Sequence, residues 1–548
     1  MSRAPARPAP ARRASSRLPW WDGAVIYQCY PRSFMDSNGD GIGDLDGITK
    51  RLEHLRGSDH ALGVDAIWLS PIYPHGGVDG GYDVTDHAAL APEYGALTDF
   101  DRLVAEAHAR GLRVLLDLVV GHVSDRHQWF LEARGSRDVD RRDWFIWADP
   151  RPGGGPPTNW VSIFGGPSWT FDFETEQYYY HTYYPEQPDL NWRNPEVRSA
   201  VAGVLRFWLD RGVDGFRVDA AQNLVKDVRL RDNPPAKRRV KPFPPDPGGL
   251  ARRWTSHLPG ARSVLRGFRS VVGEYPDKFL LGEVYAPPER LASYLRAGGG
   301  EGLHAILNME LGLSDWDPRA IARAIRRSER HLTHPMAPTW NLSNHDLPRH
   351  ATRWGSHRTR LAALLLLTLR GTVCLYQGEE IGMTDHPAVP QPMVDRWGRD
   401  PCRTPMQWTP ATDGGFSTGR PWLPLNDPER TSVAGQVDDP GSLLSLYRKL
   451  IRVRRTSPAI RHGSLTLLPS LPREVVGWER SGDGERVLVL ANLGDGSVEI
   501  AGLPNERARV LAATDDRVGT IALDGLGLGP NQGIVLRVAP ARHVASAS

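Results

Sequence analysis

The 548-residue chain lacks the marks of several large protein classes. It has only three cysteines, Cys29, Cys374 and Cys402, too few and too widely spaced for a disulfide framework or a Cys/His metal cage. That usage suits a reducing, cytoplasmic home. It lacks any run of about 18 apolar residues, the length a spanning helix needs. The nearest, LAALLLLTLRGTVCLY, is broken by Arg370 and Gly371, so no membrane association is expected. A large charge of either sign is missing too, with 67 basic against 64 acidic residues. Five of the basic residues, Arg3, Arg7, Arg12, Arg13 and Arg17, fall in the first 18 positions, which hold no acid; without them the balance is 62 to 64. The remainder therefore carries no footprint for nucleic acid. The first 18 residues also lack the apolar segment of a secretory signal and read as a basic, disordered leader.

What is present is a β/α alternation. AVIYQCYPRSF (24–34) and GVDAIWLSPIY (63–73) read as strands joined by an amphipathic segment from Leu45 to Leu55, and a helix over 99–111 leads into RVLLDLVVGH. The rhythm breaks over 123–195, a stretch rich in Trp, Tyr, Gly and Pro that is too long for a plain connection and reads as an inserted domain. It resumes with a helix over 195–212, which has Pro at its start and Gly212 at its end. GFRVDAA, KFLLGEVY, HAILNMEL, TWNLSNHD and TVCLYQGEE follow as further strands. Runs buried on both faces and separated by helices predict a parallel barrel of eight β/α units, residues 19–122 and 196–457. A Pro- and Arg-rich excursion over 225–260, with KRRVKPFPPDPGG, reads as an extended surface loop. A loop-rich insertion covers 384–440, and a helix over 442–455 precedes the last part of the chain. From 458 to 548 short alternating strands with turns such as Gly482-Asp483-Gly484 predict a C-terminal antiparallel β-sandwich.

Four apolar runs end in polar clusters: Asp117 to His122, Arg217 with Asp219, Glu283, and Asn344-His345-Asp346. Catalytic groups of parallel barrels sit at that end of the strands. Arg217 and Asp219 are two apart on a strand and so share a face, where the guanidinium can hold the carboxylate ionised as a nucleophile suits. Glu283, in LLGEVY, sits in apolar surroundings that raise its pKa and suit a general acid. Asp346 adds a third carboxylate, and His122 and His345 add donors. Each residue alone has an ordinary structural explanation; the joint pattern is what points to glycoside hydrolysis by paired carboxylates.

DLVVGHVSD, GFRVDAA, GEVY and SNHD, in this order and at these separations, resemble the four signature regions of the α-amylase family of glycoside hydrolases (family 13). QPDLN (187–191), the opening WWDGAVIYQCYPRSF and RTPMQW (403–408) are similar to its oligo-1,6-glucosidase and α-glucosidase branch. The resemblance implies that Asp219 attacks the anomeric carbon, that Glu283 is acid and then base, and that Asp346 binds ring hydroxyls. It also implies a glucose subsite lined by His122, Arg217, His345, Asp79, Tyr82 (stacked under the sugar) and Arg399, with Arg403 the rival of Arg399. DSNGDGIGD places oxygen donors at Asp36, Asn38, Asp40, the Ile42 carbonyl and Asp44, a hard-ligand loop suited to structural calcium and similar to that of oligo-1,6-glucosidases; magnesium or a metal-free turn is the alternative. No Glu stands at position 12 of the loop. No organic cofactor is expected. Gly121 stands where the family usually has Asn before His, so no second calcium is expected. Ala220 stands where α-1,6-preferring members often carry Val, which favours α-1,4 bonds.

These readings converge on a retaining, exo-acting α-glucosidase acting on malto-oligosaccharides or small α-glucosides, as a monomer or homodimer. The alternatives are an oligo-1,6-glucosidase, or a transglucosylase or isomerase such as trehalose synthase or isomaltulose synthase. The RLDRD-like segment of isomaltulose synthases is not found, and NHDLPR differs from the usual trehalose synthase form. A catalytically dead relative is disfavoured because all three acidic positions hold acids.

Overall fold

The computed structural model describes residues 18–236, 249–296, 302–389, 393–503, 506–515 and 517–538. Eight parallel strands close into a barrel: β1 (Val25–Cys29), β2 (Ala66–Leu69), β3 (Arg113–Leu118), β7 (Gly215–Val218), β8 (Phe279–Gly282), β9 (Ala305–Asn308), β10 (Thr339–Trp340) and β11 (Thr372–Tyr376). Between β3 and β7 lies a small antiparallel sheet of β4 (Trp147–Ala148), β5 (Trp169–Asp172) and β6 (Gln177–Tyr180), in the order β4-β6-β5.

Strand alternation sorts the barrel side chains into two environments. Val25, Tyr27 and Cys29 of β1 face outward into the main core, under the surrounding helices, whereas Ile26 faces inward. Ala66 and Trp68, Leu115, Phe279 and Leu281, Ala305 and Leu307, and Cys374 join it to fill the lower barrel. Continuing the inward-facing series of β1, β3 and β8 by two residues reaches Gln28, Asp117 and Glu283. The polar layer above the apolar plug therefore follows from the period of two.

The helices match the predicted ones to within two residues: Leu97–Ala109, Pro195–Asp210 and Leu443–Thr456. Asn194 caps the second of these by accepting from the Glu196 N–H, with Pro195 at the first turn, where its missing N–H costs nothing. Val197, Val201, Val204, Leu205 and Trp208 give that helix its buried stripe. β10 is shorter than predicted, because after Trp340 the chain leaves the ladder and its polar residues turn toward the site.

The last part of the chain forms two sheets. β12 (Ser464–Leu467), β13 (Val475–Gly482), β14 (Glu485–Asn492), β16 (Arg507–Ala513), β17 (Thr520–Ala522) and β19 (Gly533–Val538) make a six-stranded sheet in the order β12-β13-β14-β19-β16-β17; β15 (Val498–Ile500) pairs with β18 (Leu526–Leu528). Leu488 and Leu490 of β14 pack with Ile500, Leu526 and Leu528 of the smaller sheet, while Val487, Val489 and Ala491 join the main core. Covering both faces is what makes β14 read as a continuous apolar run.

The flanks of the 225–260 excursion differ from the predicted surface loop. Lys226, Asp227, Asn233, Thr255 and Ser256 are buried, because polar partners are supplied to them: the Lys226 ammonium meets Asp189, and Asn233 exchanges hydrogen bonds with Asn159 and Trp254. Residues 237–248, which hold nearly all of KRRVKPFPPDPGG, lie outside the described residues, as do residues 1–17 of the leader.

Candidate active site

Arg217 organises the centre of the site. Its Nη1 donates to Asp117 Oδ1 at 2.6 Å and to Asp219 Oδ1 at 2.7 Å, and its Nη2 lies 2.8 Å from Glu283 Oε1. One guanidinium with 1% side-chain exposure thus serves three carboxylates, and it cannot hold Asp219 ionised in preference to the others. Burial pushes both Asp219 and Glu283 up to about 7, against the opposing charge of Arg217. This differs from the expected division, in which only Glu283 is raised. Both carboxyls are thus pushed toward the protonated form by burial, the direction a general acid requires.

The backbone ties the pair together. Asp219 N–H donates to Leu118 O and Glu283 N–H to Val218 O, extending the ladder past β7 and β8. Ala220 then turns into the left-handed region at φ 39° and points its N–H at Glu283 Oε2, 3.0 Å away. A non-glycine residue in that region is uncommon and mildly strained. Here the conformation lets one peptide connect the two acids.

Asp117 fixes the floor of the pocket. Its Oδ2 accepts from Tyr82 Oη at 2.8 Å and Trp68 Nε1 at 3.3 Å, and burial raises its carboxyl to about 6. Tyr82 lies parallel to His345, with centroids 5.2 Å apart and planes at 2°. His345 Nδ1 accepts from Gln28 Nε2 at 2.7 Å, which leaves the proton on Nε2, 3.3 Å from Asp346 Oδ2. Burial lowers its pKa to about 3, so the ring is neutral, and Nε2 makes no hydrogen bond among the described residues.

Asp346 is the counterpart of the raised pair. Burial opposes its ionisation, but His345, Arg399, Arg403 and Arg217 hold its carboxyl well below the ordinary range. Arg399 Nη1 reaches Asp346 Oδ1 at 2.9 Å; its other nitrogens hold Asp395 at 2.6 and 3.0 Å and also donate to Asp79 Oδ1. Arg403, also on Asp346 at 3.3 Å, sits behind and donates to the His345 carbonyl. Arg399 and not Arg403 lines the cavity.

The cavity brings together Asp79, Tyr82, His122, Asp219, Glu283, Asp346 and Arg399 of the predicted set; Arg217 and His345 lie directly beneath. The His122 ring differs from the free donor expected of it. Its Nε2 lies 2.9 Å from the Tyr82 carbonyl and 3.1 Å from Gln187 Nε2 and is thus already engaged, and Nδ1 has no partner among the described residues. Sequence reasoning missed Phe164, Tyr183, Tyr285 and Trp397 on the walls. It also missed Gln28, and Gln187, which donates to Asp79 Oδ2 at 2.9 Å. Gln28 was readable as the next inward residue of β1; Phe164 and Trp397 come from irregular insertions without period.

The predicted metal loop lies apart from this cavity, against residues 416–422. Asp36 Oδ1 accepts from the Asn38 and Gly39 N–H groups, and Oδ2 from the Gly41 N–H and the Ser417 hydroxyl. Asn38 accepts from the Asp40 N–H and Asp40 from the Ile42 N–H; Asp44 caps the following helix at Gly47 and accepts from Ser37. Burial opposes the ionised form of Asp36, yet Ser417 and these N–H groups keep its pKa lowered. Among the described residues no three of His, Cys, Asp and Glu form a metal-binding group.

Residues 28–463 match the family model described as alpha amylase, catalytic domain. The chain is 43% identical over 501 residues to a probable alpha-glucosidase of Rhizobium meliloti, covering 87% of this chain and 90% of that protein. It is 35% identical over 519 residues to an oligo-1,6-glucosidase of Halalkalibacterium halodurans, covering 86% and 90%. Among solved structures it superposes on the alpha-glucosyl transfer enzyme XgtA with a TM-score of 0.87 and 38% identity, covering 95% of this chain and all of that one. A parallel barrel with three carboxylates around one arginine, matched over most of its length, places the chain in the α-amylase family of glycoside hydrolases, and it belongs to that family.

Proposed function

We propose that the protein is a retaining, exo-acting α-glucosidase that removes terminal glucose from malto-oligosaccharides or small α-glucosides, with α-1,4 bonds favoured. The observation that carries this reading is the cavity wall formed by Arg399. Arg399, pinned by Asp79, Asp346 and Asp395, closes the cavity there, and Phe164 packs on Trp397 with centroids 4.6 Å apart above it. A chain continuing past the bound glucose on that side meets a buried ion network. The open side leads past Tyr285, so the leaving group departs there.

In the reaction, Asp219 attacks the anomeric carbon as Glu283 gives its proton to the glycosidic oxygen, and the aglycone leaves. Glu283, now ionised, takes a proton from water; the water attacks the same carbon and Asp219 is released. Two acids bridged by one guanidinium favour the short separation of about 5 Å of retaining enzymes over the wider gap that houses a water. Asp346, held ionised, accepts from ring hydroxyls, and Tyr82 offers a flat floor. Ala220 leaves space beside the nucleophile, in keeping with the α-1,4 preference. The test is anomer-resolved NMR with maltose, isomaltose, trehalose and sucrose: α-glucose is expected first, and early β-glucose refutes retention. The likeness to XgtA supports a second reading, transfer to a sugar acceptor, which the same spectra reveal as new disaccharides.

The same proposal includes a structural calcium ion, or magnesium in its place, in the loop of Asp36, Asn38, Asp40, Ile42 and Asp44. What supports it is the spacing of the hard oxygen donors Asp36, Asn38, Asp40 and Asp44 in one tight loop; both carboxylate oxygens of Asp36 and of Asp44 accept hydrogen bonds there, which an ion would have to share. The Asn38 amide and the Ile42 carbonyl would complete the donor set. We further propose a cytoplasmic location, supported by three buried, unpaired cysteines, and a monomer or homodimer, which light scattering tests. Among the described residues no helix is long and apolar enough to cross a membrane.

A further inference from the structure

The open side of the glucose cavity leads into a second, larger space of about 840 Å³, which shares Tyr285 with it and begins at Gln222, three residues after the nucleophile. By position this groove receives the aglycone. Its walls carry Arg252, Arg253, Arg262 and Arg290. None of the four has an ion-pair partner among the described residues, although Arg253 lies over Trp254 at 4.9 Å. The one acid on the wall, Glu289, is already held by Arg327 at 2.5 and 3.0 Å. His257 is kept neutral by burial, which lowers its pKa to about 4, and adds no charge at neutral pH.

Backbone dipoles act in the same direction. The 14-residue helix Pro259–Val272 begins at the groove with no side-chain cap and no acid in its first turn. Such an end carries a partial positive charge and free N–H groups. Three buried polar atoms along the walls, Gln222 Oε1, Asn223 Nδ2 and Arg252 Nη2, have no partner among the described residues; Gln222 and Asn223 are only 5% exposed. An aglycone with hydroxyls and an anionic group satisfies both kinds of vacancy. A neutral sugar leaves the half-buried Arg252 and Arg262 without a counter-charge, beside the exposed Arg253 and Arg290.

We propose that this groove selects an anionic aglycone, so that the preferred substrates are α-glucosides whose leaving group bears a phosphate or a carboxylate. This rests on the α-glucosidase reading and specifies its substrate class. Hydrolysis itself is unchanged: the C–O bond to the aglycone breaks, water supplies the new hydroxyl, and the charged group leaves intact.

The test compares kcat/KM for maltose and maltitol, which are neutral, with maltobionate, which has a carboxylate on the aglycone, and maltose 6-phosphate, which has a phosphate there. At least one anionic substrate is expected to exceed its neutral counterpart by about 10-fold or more at low ionic strength, as a charge-assisted contact confers. The advantage should shrink in 0.5 M salt, where screening is short-ranged. Which anion gains identifies the group. In Arg262→Gln and Arg290→Gln the anionic-to-neutral ratio should collapse toward one, and Arg262→Lys should recover much of it. Equal turnover of neutral and anionic substrates, insensitive to salt, overturns the proposal. Failure to cleave maltose or p-nitrophenyl α-glucoside instead refutes the α-glucosidase reading. Titration calorimetry of maltobionate against maltitol then still decides the groove, with tighter and salt-sensitive binding of maltobionate required.

Discussion

Replacing Glu283 by Gln tests the chemistry and the electrostatics together. Burial raises this carboxyl from 4.5 to about 7, and about 2.5 pKa units corresponds to roughly 3 kcal/mol between its two protonation states. Because the folded value lies above the unfolded one, the folded form binds the proton more tightly. The associated stability is complete below about pH 4.5 and is lost as pH rises through about 7. Gln copies the protonated form at every pH, but it cannot accept from both Arg217 and the Ala220 N–H, which costs about 1 kcal/mol. The variant is therefore expected to be slightly less stable than wild type at pH 4.5 and more stable by about 2 kcal/mol at pH 8.5, read by urea unfolding at the two pH values. Its turnover of maltose should fall by about 10² to 10⁴, the usual contribution of a general acid, and the alkaline limb of the pH profile should vanish. α-Glucosyl fluoride, whose leaving group needs no proton, should keep its first step, and added azide should yield α-glucosyl azide from the trapped intermediate. A Gln variant destabilised equally at both pH values would show that Glu283 is ionised and satisfied in the native state. A β-glucosyl azide would refute the double displacement.

The other predictions address the remaining parts of the site. Asp219→Asn should lose turnover by at least about 10⁴-fold while its far-ultraviolet circular dichroism and unfolding cooperativity stay unchanged; near-normal activity in the folded variant would remove Asp219 from the nucleophile's role. Arg399→Gln should leave Asp79, Asp346 and Asp395 without their shared cation, costing about 3 to 5 kcal/mol and raising KM for maltose, and a variant of unchanged stability would mean the network is not coupled as its geometry implies. Removal of the proposed calcium by chelation should lower the melting temperature by several degrees, reversibly, with calcium at 100 times its Kd restoring about 2.7 kcal/mol; a melting temperature indifferent to chelator and to added calcium would dismiss the ion from the Asp36–Asp44 loop. Ala220→Val should raise the isomaltose-to-maltose ratio of kcat/KM, and an unchanged ratio would show that linkage preference is set elsewhere.

Much of the site is legible in the sequence because the barrel imposes a period of two and directs strand ends to one face. Arg217 and Asp219 share a face for that reason, and Asp117, Glu283 and Gln28 each follow an apolar inward residue by two. Gly-stopped helices and doubly buried strands mark the barrel, and turn signals mark the last strands; the expected alternation fails at β14, which is covered on both faces and is apolar throughout its middle. What escaped falls into two kinds. Phe164 and Trp397 lie in irregular insertions far apart in sequence and meet only in the fold, so no local pattern announces their contact. The electrostatic division of labour escaped because it depends on how many carboxylates share Arg217. From Arg-x-Asp alone the guanidinium belongs to Asp219, but in the folded chain it is divided with Asp117 and Glu283. The site then separates its acids by the number of cations each commands: Asp346, with Arg399 and Arg403 upon it, is held ionised, whereas Asp219 and Glu283 share Arg217 with Asp117 and are raised by burial toward the protonated form.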